Sequence, residues 1–421
     1  MDKLYKQYLD SSGVCTDTRN ILKDSLFIAL KGANFDGNEF IHEAIEAGAK
    51  YAVTDSKNGK PDPRIIVVDD CLETLQGLAN FHRRKLNIPV IGITGSNGKT
   101  TSKELLHASL SAKFKVFSTP GNFNNHIGLP LSILQIKHTH EIAVLELGDN
   151  HIGEIAALCK IAEPSHCYLT NIGKDHIEGF GSFENNVKAK LELFDYAKSS
   201  NSIVFLDPEE DSVYQYGLKL KERIEFPIGD AILFKSNNGF VEFISDGNSY
   251  STNLVGEYNQ ANIRAAYYIA KHFKVEIDKA STAIANYVPS NNRSQLVNSE
   301  QNTIYLDAYN ANPSSMALAL DSFSKLKLRS NRVVILGDML ELGASSISEH
   351  NQILDLCKRL SFDRIIVVGH EFGQCHLSAE IEHFDRTESL LAFLKKQGIV
   401  NSQVFLKGSR GIKLEQLLEE L

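Results

Sequence analysis

The chain has 421 residues, 43% hydrophobic and 23% charged, and its 44 Lys+Arg against 52 Asp+Glu leave a net charge of -8. That length exceeds one ordinary core and predicts roughly two to four domains, while the acidic balance gives no global reason to expect nucleic acid or an anionic membrane as partner. No apolar stretch approaches the length that spans a bilayer, the start from Met1 to Lys6 lacks the apolar core of a signal peptide, and the scattered cysteines form no C-x-x-C pair. A cytoplasmic protein with neither a zinc site nor a disulfide framework is expected.

In chain order, apolar runs at 26–30, 51–53 and 65–68 alternate with a helical stretch from Phe40 to Ala49, which makes a small α/β unit. A helix from Cys71 to about Leu86 closes a first domain, expected over 1–87. Next, Ile88-Pro89-Val90-Ile91-Gly92-Ile93 flows into Thr94-Gly95-Ser96-Asn97-Gly98-Lys99-Thr100-Thr101 and the helix former Lys103-Glu104-Leu105-Leu106. This is a phosphate-binding loop. The order strand, glycine turn, Lys-Thr, helix aims backbone N–H groups and a helix N-terminus at phosphate, with Lys99 as point charge and the Thr100 hydroxyl as a magnesium ligand. Residues Thr94, Gly95, Ser96, Asn97, Gly98, Lys99, Thr100 and Thr101 are therefore the expected contacts to ATP or GTP. The pattern departs from the common one in a single place, with Ile93 where glycine is usual and Gly92 one position too early.

Buried-type strands at 142–147, 167–170 and 202–206, separated by helix-length segments, predict a parallel sheet in a central domain over 88–296. A hairpin flanking Asn237-Asn238-Gly239 and a helix from Gln260 to His272 complete it. The strand at 142–147 carries Glu146 at its end, where phosphate-loop proteins place a further magnesium ligand. The alternation resumes at 303–307, 332–336, 364–368 and 403–406 in a domain over 297–421, and each strand ends in a polar or glycine-rich turn of the kind where open α/β sheets collect ligands. The expected fold is α/β: three consecutive α/β domains, with a central P-loop parallel-sheet ATPase domain and a C-terminal Rossmann-like domain.

The strings Thr94 to Thr100, Pro120-Gly121-Asn122-Phe123-Asn124-Asn125-His126-Ile127-Gly128-Leu129-Pro130, Glu146-Leu147-Gly148 with Gly153-Glu154-Ile155, and Thr170-Asn171-Ile172-Gly173 with His176 resemble the Mur ligases. These are ATP-dependent amide-forming enzymes of peptidoglycan synthesis. Within that family Asp307-Ala308-Tyr309-Asn310-Ala311-Asn312-Pro313-Ser314, Gly337 to Gly343 and Lys407-Gly408-Ser409-Arg410 resemble the branch that joins D-alanyl-D-alanine to UDP-N-acetylmuramoyl-tripeptide. The resemblance runs the whole length of the chain.

It implies a reaction in which a peptide carboxylate takes the γ-phosphate of ATP and the dipeptide amine then attacks the acyl phosphate. Lys99, Glu146, His176, Lys190 and Arg293 are the implied catalytic set. Thr100 and Glu146 would serve a first magnesium ion, and His176 with Lys190 a second, Lys190 carrying a carbamate formed with carbon dioxide. The motif around Ala189-Lys190-Leu191-Glu192 favours Lys190 over Lys188, two residues earlier and on another helix face. Asn259 and Asn262 are implied at the adenine, with Tyr258 where histidine is usual, and Asn259 is able to cap the helix as well. Arg293 is implied at the phosphates, Asp307 at the ribose, and Asn310 and Asn312 at the dipeptide.

Thr18, Arg19, Lys31, Asp36 and Gly37, together with Asn122, Asn124 and Asn125, are implied at the UDP substrate. The C-terminal domain must swing onto the central one to complete the site. A monomer is expected, with no nucleic acid and no membrane as partner. A sister ligase adding the third stem residue, a folylpolyglutamate-type ligase, a phosphate-loop kinase and a non-catalytic nucleotide-binding regulator are the alternatives.

Overall fold

Val90–Thr94 is buried at every position, as the middle strand of a helix-covered parallel sheet must be. The computed structural model describes residues 1–57, 62–229, 232–237, 239–290, 292–326 and 331–421. It sets that strand in a sheet ordered Arg223–Glu225, Ile203–Leu206, His166–Leu169, Val90–Thr94, Ile142–Glu146, Val116–Ser118, with every pairing parallel. The register pairs Ile93 with both Tyr168 and Glu146, so the three inner strands finish level and their following loops open onto one cleft. The helix Lys99–Ser111 follows the phosphate loop and packs on Asn259–His272, over a core that includes Ile91, Ile93, Leu105, Leu106, Ile263 and Ala266.

Two further parallel sheets flank this one in sequence. The N-terminal sheet has the order Val14–Cys15, Leu26–Ile28, Tyr51–Thr54, Ile65–Val67. Its core continues without a break into one face of the central sheet, because the helix Cys71–Lys85 packs on Gly128–Ile133 and Glu154–Ala162. Buried polar groups tie the same seam: Arg83 donates to the carbonyls of Ala162 and Leu86, and Tyr8 donates to that of Leu134 at 2.6 Å. The C-terminal sheet has the order Gln295–Asn298, Asn302–Asp307, Ser402–Lys407, Asn331–Gly337, Arg364–Val368, Ile381–Phe384, with the first strand antiparallel to the second.

The expected α/β class is what the chain adopts. Several elements escaped the sequence pattern for physical reasons. The hairpin after the central sheet is a three-stranded antiparallel sheet, since Asn248–Val255 pairs with Phe240–Ser245; its polar alternation, Asn248-Ser249-Tyr250-Ser251, hid it. Asn238, named with that hairpin, lies outside the described residues. The edge strands Gln295–Asn298 and Ile381–Phe384 are short and mostly half-buried, so they lack the apolar run of an inner strand. The helix Asn259–His272 begins one residue early and takes Tyr258 as N-cap, with no side-chain cap. Asn259 is thus its first helical residue and does not cap it.

Candidate active site

The phosphate loop owes its shape to two glycines. Gly95 has φ +141° and Gly98 φ +79°, and a Cβ on the first would stand 2.0 Å from Thr170 Oγ1 while one on the second would stand 2.5 Å from Asn262 Oδ1. Only a residue without a side chain fits either place. The loop is then clamped by the neighbouring strand end. Asn171 Oδ1 accepts from the Asn97 N–H at 2.9 Å, while Asn171 Nδ2 and Thr170 Oγ1 both donate to the Asn97 carbonyl. Asn171 thus fixes the loop through both atoms of its side-chain amide.

From this loop a cavity of about 900 Å³ extends to the C-terminal sheet. On the central side it is lined by the loop from Ser96 to Thr101, by Glu146, Asp149, Asp175 and His176, and by Asn259 and Asn262. On the far side Asp307, Tyr309, Asn310, Asn312, Ser314 and Lys407 line it. Asn122, Asn124, Asn125 and Arg293 reach it too. Thr18, Arg19, Lys31, Asp36 and Gly37 do not line this cavity. Thr94 is fully buried in its strand, and Gly95 packs on Thr170 and Asn171; neither faces the cavity.

Thr100 and Glu146, the pair implied for a first magnesium, are in contact: Thr100 Oγ1 donates to Glu146 Oε2 at 2.9 Å. Asn124 Nδ2 donates to the other carboxylate oxygen at 2.8 Å, which ties Asn124 to Glu146. Behind them lies Lys103, 2% exposed, donating to the Thr119 and Gly121 carbonyls with its Nζ 3.8 Å from Glu146 Oε2. Nothing in the helix sequence marked Lys103, because a lysine among polar helical residues reads as solvated. Among the described residues no three His, Cys, Asp or Glu side chains gather as a ready cage for a metal. Magnesium needs none: it takes one or two carboxylates and fills its shell with water and phosphate oxygens. The hydroxyl and carboxylate oxygens of Thr100 and Glu146 are donors of that kind.

Lys190 is wholly buried and Lys188 exposed, although only two residues separate them in sequence. Lys190 Nζ lies 2.7 Å from Asp149 Oδ1 and 3.3 Å from Asp175 Oδ2. Burial disfavours the ammonium, but the two carboxylates outweigh it and the Lys190 pKa stands above the usual lysine value. For Asp175, burial pushes upward and Lys190 and Lys99 pull down harder, to about 2. Ser96 Oγ and Asn186 Nδ2 complete the hold on Asp175 Oδ1, at 2.5 and 2.6 Å. In this arrangement Lys190 is the cation between two carboxylates, and a carbamate in the same place would set three anions together. Asp149 Oδ2 is buried without a hydrogen-bond partner. Lys99 is half-buried, and desolvation followed by the Lys190 charge holds its pKa below the usual value.

The far wall reaches across to these groups. Asn312 Nδ2 donates to Asn97 Oδ1 at 2.9 Å, and Asn97 Nδ2 donates to Ser314 Oγ. His176, at φ +48°, is hydrogen-bonded through Nδ1 to Glu341, and Lys174 pairs with Glu349 at 2.8 Å. Asn312 also caps the helix Pro313–Ser324 in a capping box with Ser315. Asp307 pairs with Lys407, and Asn310 Oδ1 accepts from the Ala311 N–H. Asn259 and Asn262 bond to each other at 2.9 Å, Asn262 also accepting from Ser102. In the N-terminal domain Arg19 pairs with Asp17, Lys31 with Asp55, and Asp36 caps the turn Gly37–Phe40.

The chain that builds this cavity is matched, domain by domain, by known protein families. Residues 10–83 match the Mur ligase family catalytic domain, 93–270 the Mur ligase middle domain, and 292–410 the Mur ligase glutamate ligase domain. The UDP-N-acetylmuramoyl-tripeptide--D-alanyl-D-alanine ligase of Bacillus subtilis is 33% identical over 97% of this chain and 93% of its own length. The chain belongs to the Mur ligase family. The ligase of the same name from Escherichia coli is 30% identical over 97% of this chain and 93% of its own. Among solved structures, MurF from Acinetobacter baumannii superposes with a TM-score of 0.87 at 26% identity, covering 100% of this chain and 98% of that one. A MurF ligase from Thermotoga maritima in complex with ADP gives 0.84 at 28% identity, covering 98% and 97%.

Proposed function

We propose that this Mur ligase joins D-alanyl-D-alanine to UDP-N-acetylmuramoyl-tripeptide with ATP, releasing ADP and phosphate, a step of peptidoglycan precursor synthesis that serves cell shape and division. The observation that carries this reading is one cavity with the phosphate loop as one wall, the segment from Asp307 to Ser315 as the other, and the Asn97 to Asn312 hydrogen bond between them. No helix among the described residues is long and apolar enough to cross a membrane. ATP and a nucleotide-linked sugar are substrates of the cytoplasm, and we assign the step there.

The chemistry brings together two anions, a peptide carboxylate and a γ-phosphate. The carboxylate attacks phosphorus and ADP leaves; the dipeptide amine then attacks the acyl carbon and expels phosphate. Lys99 and the loop N–H groups lower the cost of that approach by fixed positive charge, which needs no reorganisation during the reaction. The C-terminal wall excludes water, which would otherwise hydrolyse the acyl phosphate. Thr100 and Glu146 would hold one magnesium ion and His176, with Lys190 as a carbamate, a second; such ions neutralise phosphate charge. The carbamate requires Lys190 to surrender a proton that Asp149 and Asp175 favour, so bicarbonate dependence of the rate is its test.

In this reading residues 1–87 hold the UDP end, through Thr18, Arg19, Lys31, Asp36 and Gly37 with the help of Asn122, Asn124 and Asn125. Residues 88–296 hold ATP, Asn259 and Asn262 at the adenine and Arg293 at the phosphates. Residues 297–421 supply Asp307 to the ribose and Asn310 and Asn312 to the dipeptide. The deciding experiment is product analysis. ADP, phosphate and the amide in equal amounts, and only when both acceptor and tripeptide are present, is the expected result. A stable phosphorylated product would indicate a kinase, and nucleotide binding without turnover a regulator.

A further inference from the structure

The acceptor dipeptide has two polar ends. Its amine reacts, and its carboxylate must leave water for a cation or remain an uncompensated charge. An extended dipeptide spans only about 7 Å, so the cation must lie close to Asn310 on the C-terminal wall. Arg293 lines the cavity, whereas Arg410 is not in its lining and adjoins it through the ring of Tyr309; the other lysines and arginines close by are engaged, Lys407 with Asp307 and the Asn310 carbonyl, Lys174 with Glu349, Arg264 with Asp207 and Glu209, and Lys99 within the phosphate loop.

Two guanidinium groups differ. Arg293 lies 3.7 Å from the ring centre of Tyr309 and Arg410 lies 5.5 Å from it, and no ion pair among the described residues gives either a carboxylate. The sheet order explains how both reach one ring. Asn302–Asp307, which Tyr309 follows, lies between Gln295–Asn298 and Ser402–Lys407. Arg293 precedes the first neighbour, whose start pairs with the end of the middle strand, Gln295 with Leu306; Arg410 follows the second, in which Lys407 pairs with Asp307. The two cations therefore approach Tyr309 from opposite flanks. Asp307 touches both flanks, through the Ser294 N–H on one and Lys407 on the other, and Arg293 is the cation already assigned to the phosphates. Arg410 is on the side of Ser409, which is hydrogen-bonded to the Ala311 carbonyl next to Asn310.

Resting on the ligase reading, we propose that Arg410 is the specificity residue for the acceptor, binding the free carboxylate of the dipeptide. Contact with an aromatic ring leaves the planar N–H edge of a guanidinium open to a carboxylate fork, and partly fixes it in advance. The exposed position of Arg410 keeps it out of the core, so its replacement leaves the fold intact.

The test compares D-alanyl-D-alanine with its C-terminal amide, D-alanyl-D-alaninamide, in the intact enzyme and in Arg410→Gln and Arg410→Lys. The intact enzyme should prefer the acid by about 10- to 100-fold in kcat/KM, the range of a charge-assisted hydrogen bond. Arg410→Gln should lose that factor on the acid and keep the amide within about twofold, with the constants for ATP and tripeptide unchanged. Arg410→Lys, which keeps charge without the fork, should fall between. Equal losses on acid and amide in Arg410→Gln, or no loss on the acid, would overturn the assignment. Absence of ADP release by the intact enzyme on either acceptor would instead bring down the ligase reading, and the assignment with it.

Discussion

The phosphate loop and the N-terminal surface proposed to hold the UDP end are built in opposite ways. At the phosphate loop the polar side chains hold one another: Asn97 by Asn171 and Asn312, Glu146 by Thr100 and Asn124, Asp175 by Ser96, Asn186 and Lys190. On the N-terminal domain, Arg19 and Lys31 are exposed and paired with single local carboxylates. The contrast follows from the task. Where charge is transferred, groups must be placed before reaction and kept from relaxing. Where a substrate is only held, surface contacts suffice and cost the fold little.

The largest expected effect is on the buried side. Lys190→Ala strands Asp149 and Asp175 and should cost about 3–5 kcal/mol in a denaturant melt, with turnover nearly lost, while Lys188→Ala should stay within about 0.5 kcal/mol. Recovery of part of the rate of Lys190→Ala by acetate would add support for the carbamate; full activity would remove Lys190 from the site. Next comes Lys99→Ala, expected to lower ADP release by about 100- to 1,000-fold in a folded protein, read by a coupled ADP assay. Near-normal turnover would show that the loop holds no phosphate.

Smaller effects separate the remaining surfaces. Asn310→Ala should raise the KM for the dipeptide by about tenfold and leave that for ATP alone; equal rises would point to misplacement of the whole wall. Arg19→Ala should raise only the constant for the UDP-sugar peptide, by a few-fold, with no measurable change in stability because its ion pair is solvated. The smallest test uses salt. Asp17 and Asp175 both stand at about 2, the first through hydrogen bonds from Arg19 and the second through buried cations that overcome desolvation. About 1 M salt should move Asp17 back toward the ordinary carboxylate value and leave Asp175 in place, as followed by carboxyl NMR. For Asp175 the sign is fixed by its lowered pKa. Its stabilising contribution is present above the ordinary Asp value and is lost as pH falls from there through about 2.

The sequence was most legible where one residue type has few other uses. Gly95 and Gly98 in their left-handed turns, the β-branched run before them and the strand-end Glu146 all announced the nucleotide wall. It was least legible where function depends on who sits opposite. Asn171, Glu341 and Lys103 matter through partners far away in the chain, at Asn97, His176 and Glu146, and polar residues of those types are ordinary in loops and helices. Asn312 shows the same limit from the other side: the motif implied a ligand contact, and the structure gives its amide a helix cap and a bridge to Asn97. Domain seams were hidden as well, because the apolar core that crosses from Leu26 to Leu145 is assembled from segments whose patterns are each complete in themselves.

The order of the C-terminal sheet has a consequence for biosynthesis. Ser402–Lys407 is the last of the six strands to be synthesised, yet it lies in the middle, paired with Asn302–Asp307 on one side and Asn331–Gly337 on the other. Until it leaves the ribosome, those two inner strands expose apolar edges with unpaired backbone groups, the condition under which nascent chains associate wrongly. The C-terminal wall of the cavity is therefore completed late in synthesis, and a nascent chain stopped before residue 402 would carry the segment from Asp307 to Ser315 without the strand that pairs beside it.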